Sequence, residues 1–158
     1  MKDLSEGTGA SHERLNSAAW RMKLWQSAVP SIKKRFVLGY GLESFHQLSG
    51  EFFVLEPDGV PAHNVYVELL FETGVIGFIT FLWIYLSILR TFVLRMLRFR
   101  AGPVSSESVI LFAYVIGYLF VCVSDNMLHY LAFNWYFWFF VGLAQQPVSP
   151  QFRPKPQA

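Results

Sequence analysis

The sequence predicts an all-α polytopic membrane protein, in which an extramembrane helical and irregular loop region precedes three transmembrane helices. Three observations carry that reading. Of 158 residues 53% are hydrophobic and only 15% charged, with a mean hydropathy of +0.34, which is more apolar surface than one water-soluble core of this size buries. The charges crowd residues 1–65, where acids and bases balance. Beyond them lie three charge-free runs, residues 73–89, 108–124 and 127–144. The single Cys122 excludes an intramolecular disulfide framework and a cysteine-rich zinc site, and a net charge of +2 is too small to argue for nucleic acid.

The first element is an amphipathic helix. Leu15, Ala18, Met22, Trp25, Val29 and Ile32 recur at offsets of mostly three and four, and Pro30 should kink or end it. Arg14 and Arg21 stand seven apart beside this stripe, placing cations where the helix meets a membrane surface or another helix. Next, Gly39-Tyr40-Gly41 permits a tight backbone passage, but it lacks the third glycine and the strand-helix setting of a dinucleotide site. Residues 45–60 read as irregular, with a turn at Pro57-Asp58-Gly59 and the character of a mobile loop near a substrate entrance.

Asn64 is the expected N-cap of a helix running into the first apolar run. Glu68 and Glu72 lie one turn apart on that helix, shortly before the lipid core, so they should face protein or water. His63, just outside the helix, can exchange a proton near neutral pH. Each apolar run covers about 26 Å at about 1.5 Å per residue, so flanking residues must extend it to the roughly 30 Å of a hydrocarbon core.

Arg90, Arg95, Arg98 and Arg100 crowd the loop after the first span, the loop around Asp125 is short and acidic, and Arg153 and Lys155 follow the third span. Positive charge gathers on the cytoplasmic side. The resulting map has residues 1–65, with the amphipathic helix, on the outer side of the membrane, periplasmic or extracellular in a bacterium, then three spans in 66–145 and a cytoplasmic tail at 146–158. No apolar signal segment precedes the first region. Either the first span inserts as a reverse anchor that carries these residues across or, the favoured expectation, upstream membrane helices of a split or longer parent protein do so.

The chemistry is narrowed by what is missing. The sequence has no Gly-x-Ser-x-Gly elbow and no His-Glu-x-x-His zinc helix, and Glu68 and Glu72 sit too near a membrane helix for a soluble glycosidase pair. A channel would need more polar residues along the spans than Asp125, His129 and Asn134.

Taken in order, Arg21-x-x-x-Trp25, Gly39-Tyr40-Gly41, then His63-Asn64, nine residues, Gly74, two residues and Gly77 resemble the C-terminal part of the O-antigen ligase/polymerase family. The resemblance covers about residues 11–145, the last third of a typical member. It implies transfer of a glycan from a polyprenyl-diphosphate carrier to a hydroxyl of a lipid or glycan acceptor, with no cofactor and no metal. In that role Arg21 matches the family's loop arginine and would stabilise the leaving diphosphate, and His63 would be the general base. Substrate contacts would come from Arg14, Trp25, Asn64 and Glu68, with Asn64 and Glu68 orienting the reacting groups and Trp25 packing on lipid or sugar. Gly74 and Gly77 would permit close helix packing. The alternative is a noncatalytic remnant or accessory subunit whose helices pack on a partner.

Overall fold

A computed structural model describes residues 17–99 and 102–146. Arg14, Leu15, Arg100, Arg153 and Lys155 lie outside the described residues. Among those described there is no strand; the elements are α1 (Ser17–Lys34), α2 (Ser44–Phe52), α3 (Val65–Arg98), α4 (Pro103–Val121), a short 3-10 turn (Met127–His129) and α5 (Leu131–Ala144).

Helices α3 and α4 are long and apolar enough to cross a membrane. The third expected span is shorter than its charge-free run, because Met127–His129 forms the 3-10 turn and α5 has only 14 residues. At about 1.5 Å per residue α5 rises about 21 Å, less than the roughly 30 Å hydrocarbon core.

Two further elements depart from the sequence reading. Helix α1 does not end at Pro30, which is exposed, but runs on to Lys34. The stretch read as irregular contains α2, which buries Phe45 and Ser49. It starts after Glu43 in a left-handed conformation with no side-chain cap, so no capping residue announces it.

Two apolar clusters organise the molecule. The first lies among α1, α2 and the start of α3, with Leu24, Ala28, Phe45, Phe53, Ala62 and Phe71 buried. Phe71 is its centre: Tyr40 stacks on it at 4.7 Å, and Phe45 and Phe52 lie 5.1 and 5.7 Å away. The second joins α3, α4 and α5 through Tyr85, Tyr118 and Phe137, with Tyr118 stacked 4.2 Å from Phe137. Asn134, a polar residue inside an apolar helix, is fully employed there. It accepts from the Tyr118 hydroxyl (2.9 Å) and donates to the Met127 carbonyl (2.8 Å). At the far end the Arg95 guanidinium donates to the carbonyls of Ala144 and Gln146, bringing the ends of α3 and α5 together.

Helix α3 is broken at Gly74 (φ 63, ψ −168), and the break is where the first cluster joins the second. An unbroken helix would pair the Val75 amide with the Phe71 carbonyl and the Ile76 amide with the Glu72 carbonyl. All four groups instead have partners in the loop between α1 and α2. Val75 and Ile76 donate to the carbonyls of Phe36 (2.8 Å) and Val37 (3.4 Å), while Tyr40 and Gly41 donate to those of Phe71 (3.1 Å) and Glu72 (2.8 Å). A Cβ on Gly39 would run into the Glu72 carbonyl, and one on Gly74 into the Val37 carbonyl. Gly74 therefore admits a loop backbone rather than a neighbouring helix. Gly77 makes room for the Thr73 side chain of its own helix, and Gly117 and Gly142 face open space.

Candidate functional site

Site geometry begins with the connection after α4, which sews the bundle to the start of α3. The Val65 amide donates to the Cys122 carbonyl (2.9 Å) and the Tyr66 hydroxyl to the Leu119 carbonyl (2.7 Å). Asn64 is the N-cap that its position predicts, its Oδ1 accepting from the amides of Tyr66 (2.9 Å) and Val67 (3.1 Å). Its Nδ2 donates to the Val123 carbonyl (2.9 Å), and its backbone amide donates to Asn126 Oδ1 (2.8 Å). Every polar group of the Asn64 side chain is thus committed to fixing the chain beside His63.

His63 itself adopts a left-handed backbone conformation, with φ 49. Such a conformation costs a non-glycine residue of order 1–3 kcal/mol, and here the bonds on both sides enforce it. Before it, the Trp25 indole donates to the Ala62 carbonyl (2.7 Å); after it stand the Asn64 bonds. The ring of Trp20 meets the imidazole at a centroid distance of 6.2 Å. Burial, and then the Arg21 guanidinium, hold the His63 imidazole below its ordinary value of 6.5, with Asp125 pulling in the opposite direction. Burial and Arg21 thus both favour the neutral imidazole, the state in which it accepts a proton.

Arg21 donates from Nη1 to the Ser124 carbonyl at 2.9 Å, so α1 is tied to the same connection that holds Asn64. A guanidinium has five N–H groups, and this bond uses one. Among the described residues no other hydrogen bond or ion pair of Arg21 is seen, so its remaining N–H groups can meet an anion beside His63. The Asp125 carboxylate completes the group and accepts from the Tyr130 hydroxyl at 3.0 Å.

Glu68 points elsewhere. Its Oε1 pairs with His129 Nε2 at 2.8 Å, on the 3-10 turn. Glu72 accepts from the amide of Phe45 (3.1 Å) and so holds the start of α2. Together with Glu43, Leu42, Leu69 and Leu128, these side chains line a cavity of about 350 Å³. Among the described residues, no group of three or more His, Cys, Asp or Glu side chains is arranged to hold a metal ion.

The structure thus brings Arg21, His63, Asn64 and Trp25 together, and sets Glu68 beside a different histidine. Trp25, expected against lipid or sugar, packs on the first apolar cluster and supports the loop that carries His63. Sequence reasoning left out Trp20, Asp125 and His129 as site residues. Their signal was present, since Trp20 adjoins Arg21 and the two others are polar residues clustered near one end of an apolar run.

The O-antigen ligase family model matches residues 1–82, which hold α1, α2, the His63 loop and α3 through its break. No curated protein and no solved structure matches the chain. With half of its length covered by that family's model and two membrane-length helices, this chain is a membrane protein that belongs to the O-antigen ligase family.

Proposed function

We propose that the chain carries the acid-base and anion-binding part of a membrane glycosyltransferase that moves a glycan from a polyprenyl-diphosphate carrier to a hydroxyl of a sugar or lipid-linked acceptor. The observation that carries this reading is the placing of His63, held in a left-handed backbone conformation between the Trp25–Ala62 bond and the Asn64 bonds, within the field of Arg21. The acceptor hydroxyl gives its proton to the imidazole as its oxygen bonds to the anomeric carbon. The bond from that carbon to the carrier phosphate breaks, and the diphosphate leaves with the electron pair. Arg21 stabilises that anion through its free N–H groups. Asn64 and Trp25 act by positioning His63, while Glu68 acts through His129 at the neighbouring cavity.

In this reading the protein lies in a bacterial inner membrane, residues 1–65 face the periplasm, the C-terminus faces the cytoplasm and α5 completes a third crossing with flanking residues. Upstream membrane helices of a longer parent supply the rest of the donor groove. The accessory-subunit reading draws on Trp83, Ile110, Trp135 and Phe139, which are exposed on α3, α4 and α5 and suit either lipid or partner helices. Replacing His63 with Ala in the native gene separates the two. Loss of glycan transfer with normal membrane insertion supports the enzyme; unchanged transfer removes the base assignment.

A further inference from the structure

We propose that the loop between α1 and α2 is an interfacial anchor: its apolar side chains enter the bilayer, and Lys33, Lys34 and Arg35 bind the headgroups of anionic phospholipids.

Four hydrogen bonds lock residues 36–41 to the break in α3, two of them to the amides of Val75 and Ile76. Those amides stand at the start of the charge-free run of α3, residues 73–89. The loop therefore lies at the level where α3 enters hydrocarbon, and Gly39 and Gly74 prevent it from riding further out, because their backbones are in direct contact.

Phe36, Val37, Leu38 and Leu42 are 48%, 55%, 74% and 76% exposed, a contiguous apolar surface on a loop that otherwise has its backbone bonds satisfied. Such a patch at that depth is stable in lipid and costly in water. Directly before it, at the end of α1, come exposed Lys33, Lys34 and Arg35, and among the described residues none of the three is in an ion pair. The Arg35 guanidinium lies 4.9 Å from the centroid of the Tyr40 ring, which keeps its stem along the loop. Three cations one step above an inserting apolar loop match phosphate-bearing headgroups in charge and position.

This inference needs the membrane but not glycan transfer, so either can fail alone. The test uses the full chain in phosphatidylcholine nanodiscs, with or without phosphatidylglycerol. A spin label on Leu38→Cys is read by its collisions with oxygen and with a water-soluble nickel chelate; Cys122 is buried, and the unsubstituted chain serves as the labelling control. The label is expected to meet oxygen and to be shielded from nickel. In parallel, retention of phosphatidylglycerol over phosphatidylcholine, read by native mass spectrometry, is expected to fall about fivefold for each of Lys33→Ala, Lys34→Ala and Arg35→Ala, and about a hundredfold for all three. These side chains are exposed, so the variants keep the fold.

Access of nickel to position 38 would overturn insertion. Shielding from both reagents would place a protein helix on the loop and overturn the lipid assignment. Equal retention of the two lipids by the unsubstituted chain would overturn the charge argument. A preference for undecaprenyl diphosphate over phosphatidylglycerol, lost in the triple variant, would assign the cations to the carrier instead.

Discussion

Gly74→Ala should release the loop from α3, and the size of the effect follows from the seam itself. At φ 63 and ψ −168 the backbone is in a region that glycine alone adopts easily, so alanine there costs of order 1–3 kcal/mol. A Cβ would also strike the Val37 carbonyl and the Gly39 amide, and neither is a flexible side-chain end. The cheaper outcome is that residue 74 turns helical and the loop departs. Four hydrogen bonds at about 1 kcal/mol each are then lost, two return as the helix closes, and separation of Tyr40 from Phe71 costs about 1 kcal/mol more. The net is about 3 kcal/mol, which corresponds to roughly a hundredfold faster exchange of the amides that depend on the seam. Hydrogen exchange at Tyr40 and Gly41 in the detergent-solubilised or nanodisc-bound protein reads this directly. Gly41→Ala is the control, because Gly41 also has a positive φ, of 106, but has open space where its Cβ would stand. Wild-type protection of Tyr40 and Gly41 in Gly74→Ala, or equal loss in Gly41→Ala, would refute the argument.

Further outcomes follow from the same geometry. Asn64→Ala removes a helix cap and the bond to Val123, so thermal unfolding should show a loss of about 2 kcal/mol, while Asn64→Asp, which keeps the cap, should lose about half of that. For pH, a neutral imidazole is the active form, so transfer should fall on the acid side with a midpoint below 6.5, since burial and Arg21 lower the His63 value. Arg21→Gln removes the second of those causes and should move the acid limb to higher pH; Asp125→Asn removes the opposing influence and should move it lower. Limbs that stay in place in both variants would show that neither charge reaches His63.

Much of the fold was legible because its signals are local. The charge-free runs gave α3 and α4, and Asn64 marked the start of α3 through a cap that involves only the next three residues. Helix α2 was not legible, since Glu43 begins it without a side-chain cap and Gly50 lies within it. The pairing of Gly39 with Gly74 was hidden for a different reason: Gly39 read as a tight backbone passage and Gly74 as room for a neighbouring helix, and only the fold shows that each makes room for the other's backbone. The third run overstated its helix, because periodicity and charge do not reveal a 3-10 turn fixed by Asn134 across sequence. At the site, residue types and spacing singled out Arg21 and His63 as candidates, but the partner of Glu68 lies 61 positions away on a segment read as lipid-embedded. Such pairings arise from tertiary packing and leave no spacing to read.

The most direct test of the central claim is transfer of polyprenyl-diphosphate-linked glycan in native membranes, comparing wild type with His63→Ala expressed from the native gene. A base held in a left-handed backbone conformation beside Arg21 predicts at least a hundredfold loss of transfer, on the scale of general-base catalysis, with the protein still inserted and Asn64 still capping α3. Wild-type transfer by His63→Ala at equal membrane abundance would contradict it.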